Sequence, residues 1–222
     1  MERICLLDLD GTLIDSAADI RDALNRLMAR RGLPGFAMPE VHRMIGDGVA
    51  VLVRRALEAR GQAFDPAALA KFVPDYEAHA NEQTAPFAGV PEVLAELRRE
   101  GWRLAVCTNK PVAAARLILE HLGLAPLVDA LAGGDSFPVR KPDPGHLLGT
   151  LRLMGVTAEG SAPPGVVMVG DHANDIRSAR GAGAAPVFAA WGYGLPEMAD
   201  GAPVAASPAD LPALLARIGG RD

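Results

Sequence analysis

Four short apolar runs constrain this chain more than any other feature: Ile4 to Leu9, Arg103 to Cys107, Gly165 to Val169 and Pro186 to Ala190. Runs of this length without alternation fit strands buried on both faces, as in parallel sheets. Between them lie stripes at helical spacing. Val93, Leu94 and Leu97 form one, Ala115, Ile118, Leu119 and Leu122 a second, and Leu147, Leu148, Leu151 and Met154 a third. Strand and helix in alternation predict an α/β fold, a Rossmann-like parallel sheet with helices on its faces. Val128 to Ala132 is a further strand candidate. Gly201 to Pro208 and Ala158 to Pro164 read as loops, and Ala209 to Ile218 as a final helix.

The stretch 16–84 follows another rule. It offers no strand, only helical stripes. These are Ile20, Leu24, Leu27 and Met28, then Val49, Leu52, Val53, Ala56 and Leu57, then Leu69, Phe72, Val73 and Tyr76. Breaks fall at Gly32-Leu33-Pro34-Gly35 and Gly61-Gln62. The organisation expected is therefore a core begun by 1–15, an all-helical insert over 16–84, and the rest of the core over 85–222. A chain of 222 residues buries a core of this size without disulfides or a structural metal. Cys5 and Cys107 lie far apart in apolar runs and read as buried thiols.

The net charge of -5 argues against a general nucleic-acid or anionic-membrane surface, and permits one small anion in a locally positive pocket. No apolar run reaches the length of a membrane span, and the N-terminus has no signal-like pattern. A cytoplasmic protein is expected, as monomer or homodimer.

Polar clusters follow the predicted strands, and at the carboxyl edge of such sheets ligands bind. Asp8-Leu9-Asp10-Gly11-Thr12 brings two acids into a sharp turn. Two carboxylates this close repel unless a cation lies between them or one is protonated. Thr108-Asn109-Lys110-Pro111 offers a hydroxyl and backbone N–H groups at a helix start, with Pro111 in the first turn. Arg140-Lys141-Pro142-Asp143-Pro144 offers a stiffened lysine able to neutralise a phosphate. Gly170-Asp171-His172-Ala173-Asn174-Asp175 offers two acids four apart at another helix start. Each cluster alone reads equally as a strand-end turn, a helix cap or a solvated lysine. Together they collect carboxylates at one edge without a His/Cys pattern, which favours Mg²⁺ over Zn²⁺.

In order and spacing, Asp8-x-Asp10-Gly11-Thr12, Thr108-Asn109, Lys141-Pro142 and Gly170-Asp171-x-x-x-Asp175 resemble the four motifs of the haloacid dehalogenase superfamily, across nearly the whole chain. The helical insert resembles its small cap. Thr84 to Val90, Cys107 to Pro111 and Ile45-Gly46-Asp47-Gly48 look most like phosphoglycolate phosphatases. The resemblance implies a Mg²⁺-dependent phosphatase acting on a small phosphorylated metabolite such as 2-phosphoglycolate. Asp8 would be the nucleophile and Asp10 the acid and base. The metal would be held by Asp8, the Asp10 carbonyl and Asp171, with Asp175 supporting the metal and orienting Lys141. Thr108, Asn109 and Lys141 would bind the phosphoryl group, and Gly46, Asp47 and Gly48 the organic part.

Asp10 argues against dehalogenation, because the superfamily's dehalogenases lack that second acid. His172 stands where most relatives carry Ser or Thr, and reads as a rim residue. His42, His79, His121 and His146 show no ligand spacing and read as helix-surface or partly buried. A sugar phosphomutase of the β-phosphoglucomutase type shares the four motifs, and a non-catalytic binding module could share the scaffold.

Overall fold

The computed structural model describes residues 2–218. In chain order its elements begin with β1 (Arg3–Leu7), β2 (Ile14–Asp15), α1 (Ala17–Ala29), α2 (Met38–His42), α3 (Val49–Glu58), α4 (Pro66–His79) and β3 (Ala85–Pro86). They continue with α5 (Val90–Arg99), β4 (Trp102–Cys107), α6 (Val112–His121), β5 (Ala130–Ala132) and α7 (Pro144–Leu153). The chain finishes with β6 (Val166–Gly170), α8 (Ala173–Gly181), β7 (Ala185–Ala189), β8 (Val204–Ala205) and α9 (Leu211–Ile218).

Six strands form one parallel sheet in the order β5-β4-β1-β6-β7-β8. Strand alternation sends neighbouring residues to opposite faces. Cys5 and Leu7 join Leu104, Val106, Val167 and Val169 in one apolar cluster, while Ile4 and Leu6 join Ala105, Cys107, Val166 and Met168 in another. Both faces are covered by helices, so all of these residues are buried, as the unbroken apolar runs require. Each large aliphatic side chain so buried contributes roughly 1.5–3 kcal/mol.

The order also positions the site. β1 is central, with β4 on one side and β6 on the other. The chain therefore leaves β1 in both directions, and the loops after β1, β4 and β6 lie side by side where the winding reverses. Clefts form at such points.

Between β2 and β3 the structure is helical throughout. α1 packs on α4 and α2, and α3 packs on α4. Leu24, Leu27, Val53, Leu57 and Phe72 are buried there, continuous with one face of the sheet. Two features of this region carried no sequence signal. α2 has a single buried residue, Val41, too little for a stripe. β2 and β3 pair antiparallel, Ile14 with Pro86 and Asp15 with Ala85, as a two-strand ribbon at the root of the insert. Its pairing is set by backbone partners distant in sequence.

Other expectations shift by small amounts. β1 ends at Leu7, which puts Asp8 just past the strand. Val128 to Ala132 narrows to β5. The expected loop Gly201 to Pro208 contains β8, two residues paired to Phe188 and Ala189 at the sheet edge. The last helix begins at Leu211, after a short 3₁₀ turn over Pro208–Asp210. Pro111 is the residue before α6 rather than within its first turn.

Candidate active site

Asp8, Asp171 and Asp175 come together beyond the carboxyl ends of β1 and β6. One carboxylate oxygen from each lies within 4.8 Å of the others, and all three residues are buried. Lys141 arrives from the loop between β5 and α7. Its ammonium is 2.6 Å from Asp175 Oδ1 and 2.9 Å from Asp8 Oδ1. The first contact is a hydrogen bond. The second pairs charges without hydrogen-bond alignment, so Asp8 Oδ1 has no donor. Asp171 is fixed from several sides. Thr12 Oγ1 donates to its Oδ1 at 3.2 Å, and the backbone N–H groups of Tyr193 and Gly194 donate to its Oδ2 at 2.8 and 3.3 Å. A Cβ on Gly11, at φ 83°, would lie 2.3 Å from that same Oδ2, so the turn needs glycine both for conformation and for space.

Three buried acids against one lysine leave excess negative charge. Burial, then the charges of Asp8 and Asp175, push the Asp171 carboxyl up to about 8. Burial also raises Asp175, against the pull of Lys141. Lys141 is itself raised: burial opposes its charge, and the Asp175 and Asp8 carboxylates outweigh burial. A donor set of oxygens only, mutually repelling, with one oxygen lacking a partner, suits a hard divalent cation.

The Asp10 carboxylate is engaged elsewhere. Lys110 Nζ donates to its two oxygens at 2.9 and 3.1 Å, and Ser16 Oγ donates to Oδ1 at 2.6 Å. Lys110 also donates to the Tyr76 hydroxyl, which comes from α4 in the insert. Asp8, Asp10, Thr108, Asn109 and Lys110 line one cavity with Gly46 and Gly48 and with apolar side chains of the insert. Thr108 Oγ1 accepts from Lys110 N at 3.2 Å, which shapes the turn after β4. Asn109 Nδ2 donates to the carbonyls of Gly46 and Lys141, both at 3.0 Å, so one side chain ties the insert and the lysine loop to β4.

The family profile of haloacid dehalogenase-like hydrolases matches residues 2–183. The chain belongs to that family. A phosphoglycolate phosphatase of Cereibacter sphaeroides is 42% identical over 182 residues, 80% of each chain. One of Caulobacter vibrioides is 38% identical over 190 residues, 84% of this chain and 78% of the relative. Among solved structures, a predicted phosphoglycolate phosphatase from Haemophilus somnus superposes with a TM-score of 0.85 at 28% identity, covering 96% of this chain and 97% of its own. CbbY from Rhodobacter sphaeroides, solved with phosphate, gives 0.79 at 25% identity over 95% and 96%. This haloacid dehalogenase-like hydrolase is a phosphatase that cleaves phosphomonoesters. Among the described residues no helix is long and apolar enough to cross a membrane.

In this hydrolase Asp47 is turned out of the cavity that Gly46 and Gly48 line. Asn174 Nδ2 donates to Asp47 Oδ1 at 2.5 Å, and Arg55 pairs with its other oxygen. Burial would raise the Asp47 carboxyl, but Asn174 and Arg55 hold it below the usual range. Gly48 is the residue that caps α3. His172 caps α8, with Nδ1 accepting from Asn174 N at 3.4 Å, and its ring lies against Gly46, where a Cβ would meet it at 2.8 Å. His146, expected at a helix surface or partly buried, is fully buried. Its Nε2 lies 2.9 Å from the Gly133 carbonyl oxygen, and Cys107 Sγ lies 3.3 Å from its Nδ1.

Three participants carry no role legible in the sequence. Lys110 stands inside the strand-end cluster Thr108-Asn109-Lys110-Pro111. Tyr76 belonged to a helical stripe and showed nothing but its apolar body. Tyr193 lies in the loop after β7, a fifth strand end at the same edge, and Gly192-Tyr193-Gly194 was its available signal. The Tyr193 hydroxyl accepts from Ser16 N at 2.8 Å and donates to Asp15 Oδ1 at 2.8 Å, joining this loop to the start of the insert. Its ring stacks on His42 of α2, 4.9 Å between centroids.

Proposed function

We propose that the chain hydrolyses a small phosphorylated acid, 2-phosphoglycolate or a close analogue, through a phosphorylated Asp8, and that the helical insert is a cap over the site. The observation that carries this is the joint placement of Asp8, Asp10, Thr108 and Asn109 around one cavity, with Lys141, Asp171 and Asp175 gathered on Asp8. The relatives named phosphoglycolate phosphatase support the choice of substrate.

In the first step an Asp8 carboxylate oxygen attacks phosphorus, the ester P–O bond breaks, and the leaving oxygen takes a proton from Asp10. In the second, water attacks the aspartyl phosphate and gives its proton back to Asp10. Phosphate leaves and the Asp8 carboxylate is restored. Thr108, the Asn109 backbone N–H and Lys141 stabilise charge on the phosphoryl oxygens. Asp175 holds Lys141 in place for that task. Mg²⁺, held by Asp8, Asp171 and the Asp10 carbonyl with Asp175 beside them, would offset the repulsion between carboxylate and phosphate. The cap excludes water around the reacting atoms. Gly46 and Gly48 are the cap residues nearest the substrate, and Asp47 fastens their loop to α8 through Asn174.

The test is phosphate release with Mg²⁺ from 2-phosphoglycolate, hexose phosphates and nucleotides. Preference for 2-phosphoglycolate is expected, and EDTA should silence the reaction. Preference for a hexose phosphate or a nucleotide would discard the substrate. Full activity in EDTA would discard the metal.

A further inference from the structure

The cavity beside Asp8 is uneven in polarity. Away from the phosphoryl-binding loops its walls are Ile20, Ile45, Val49, Leu52 and Phe72, all from the insert. Lys110 is the one cation among its described lining residues. That ammonium sits on an almost fully buried side chain, 3% exposed, and the Tyr76 ring centroid lies 4.7 Å from it. Burial opposes its charge, but the Asp10 carboxylate and Tyr76 outweigh burial and keep it protonated. Its hydrogen-bond partners are Asp10 and Tyr76. The Tyr76 hydroxyl is driven up to about 12, chiefly by burial, so it stays a phenol.

This arrangement conflicts with turnover unless something else meets Lys110. Asp10 has to address the ester oxygen that leaves phosphorus. When it does, it gives up contacts to Lys110, and a buried ammonium is left short of an acceptor among apolar side chains, a costly state. A substrate that brings its own anion removes that cost. A neutral polyol would instead place hydroxyl groups against an apolar wall.

We propose that Lys110 is the specificity-determining residue of this site: it receives the carboxylate of the substrate in exchange for that of Asp10, and so releases Asp10 to the leaving oxygen. The exchange rests on the phosphomonoesterase reading above and names what selects a carboxylated substrate. Tyr76 contributes from the cap, so the exchange takes place at the seam between insert and core.

The experiment compares two esters of the same size, 2-phosphoglycolate and its neutral primary amide, on the intact enzyme with Mg²⁺. Wild type should favour the acid in kcat/KM by roughly ten- to a hundredfold, the scale of one charge-assisted hydrogen bond. Lys110→Met should bring that ratio close to one, and Lys110→Arg should restore part of it. If Lys110 only steadies Asp10, both esters lose rate together and the ratio is unchanged in Lys110→Met, which overturns the inference alone. A wild type indifferent to the two esters overturns it without any variant. Turnover of hexose phosphates with neither two-carbon ester accepted sinks the substrate reading and this inference with it.

Discussion

Asp8 and Asp10 are separated by one residue, yet they stand in two differently built halves of the site. Asp8 faces Lys141, Asp171 and Asp175, all from core loops, and each of these side chains has a fixed partner. Asp10 faces Lys110 from the core, Ser16 from the root of the insert and, through Lys110, Tyr76 from α4. The Asp8 half is thus held by the sheet itself, whose loops are anchored at both ends. The Asp10 half spans core and insert, and its geometry depends on how the two are docked. The proposed reaction would use this division. The phosphoryl group is common to every phosphomonoester, and the organic part is what differs.

The largest expected effect is at Asp8 itself. Asp8→Asn removes the attacking oxygen's charge and should lower kcat by at least about a thousandfold. It should leave the fold intact, because it relieves repulsion in the acidic cluster; circular dichroism and a melting curve check this. Residual activity within tenfold of wild type would mean that Asp8 is not the nucleophile.

A smaller effect, on stability, tests the charge excess of the Asp8 half. The Asp171 carboxyl moves from 3.8 to about 8 on folding. Across that window the folded protein holds a proton that the unfolded chain has released. Stability therefore falls as pH rises through it. In EDTA the melting temperature should drop between pH 5 and pH 8 by several degrees, given about 2–4 °C per kcal/mol in a chain this size. Mg²⁺ should flatten the slope, because a bound cation takes over the proton's role. A metal-free protein with no pH slope would show that the cluster carries no such excess.

The smallest expected effect lies in the insert, away from the seam. Arg30 Nη2 sits 2.5 Å from Asp75 Oδ1, but its side chain is 51% exposed, and Asp75 keeps Arg26 at 2.7 Å. Arg30→Ala should cost less than about 1 kcal/mol in urea unfolding and leave kcat/KM unchanged. A larger loss would mean that this surface pair helps set how the insert is docked.

Legibility follows the same division. Asp8, Lys141, Asp171 and Asp175 could be read because each stands in a short polar cluster after a buried strand, and such clusters are local in sequence. Lys110 stood in one of those clusters, but nothing local says that its side chain reaches Asp10. Tyr76 was readable only as part of the stripe with Phe72, since a phenol's partner lies outside its helix. Asp47 is expected at the substrate from its loop alone, and its partners Asn174 and Arg55 come from other elements. His146 reads from sequence as helix-surface or partly buried, because one residue on α7 does not reveal that β4 and the Gly133 carbonyl close over it.

The α/β core, the helical stripes of 16–84 and the strand-end clusters that hold Asp8, Lys141, Asp171 and Asp175 are written in the sequence. Apolar periodicity and strand-end clusters are short-range properties, written within a few residues of where they act. The tertiary structure alone decided the ribbon at the insert's root, the burial of His146, the direction of Asp47 and the pairing of Lys110 with Asp10 and Tyr76. Each of these depends on side chains or backbone groups from segments distant in sequence meeting at a seam, and no local pattern encodes such a meeting.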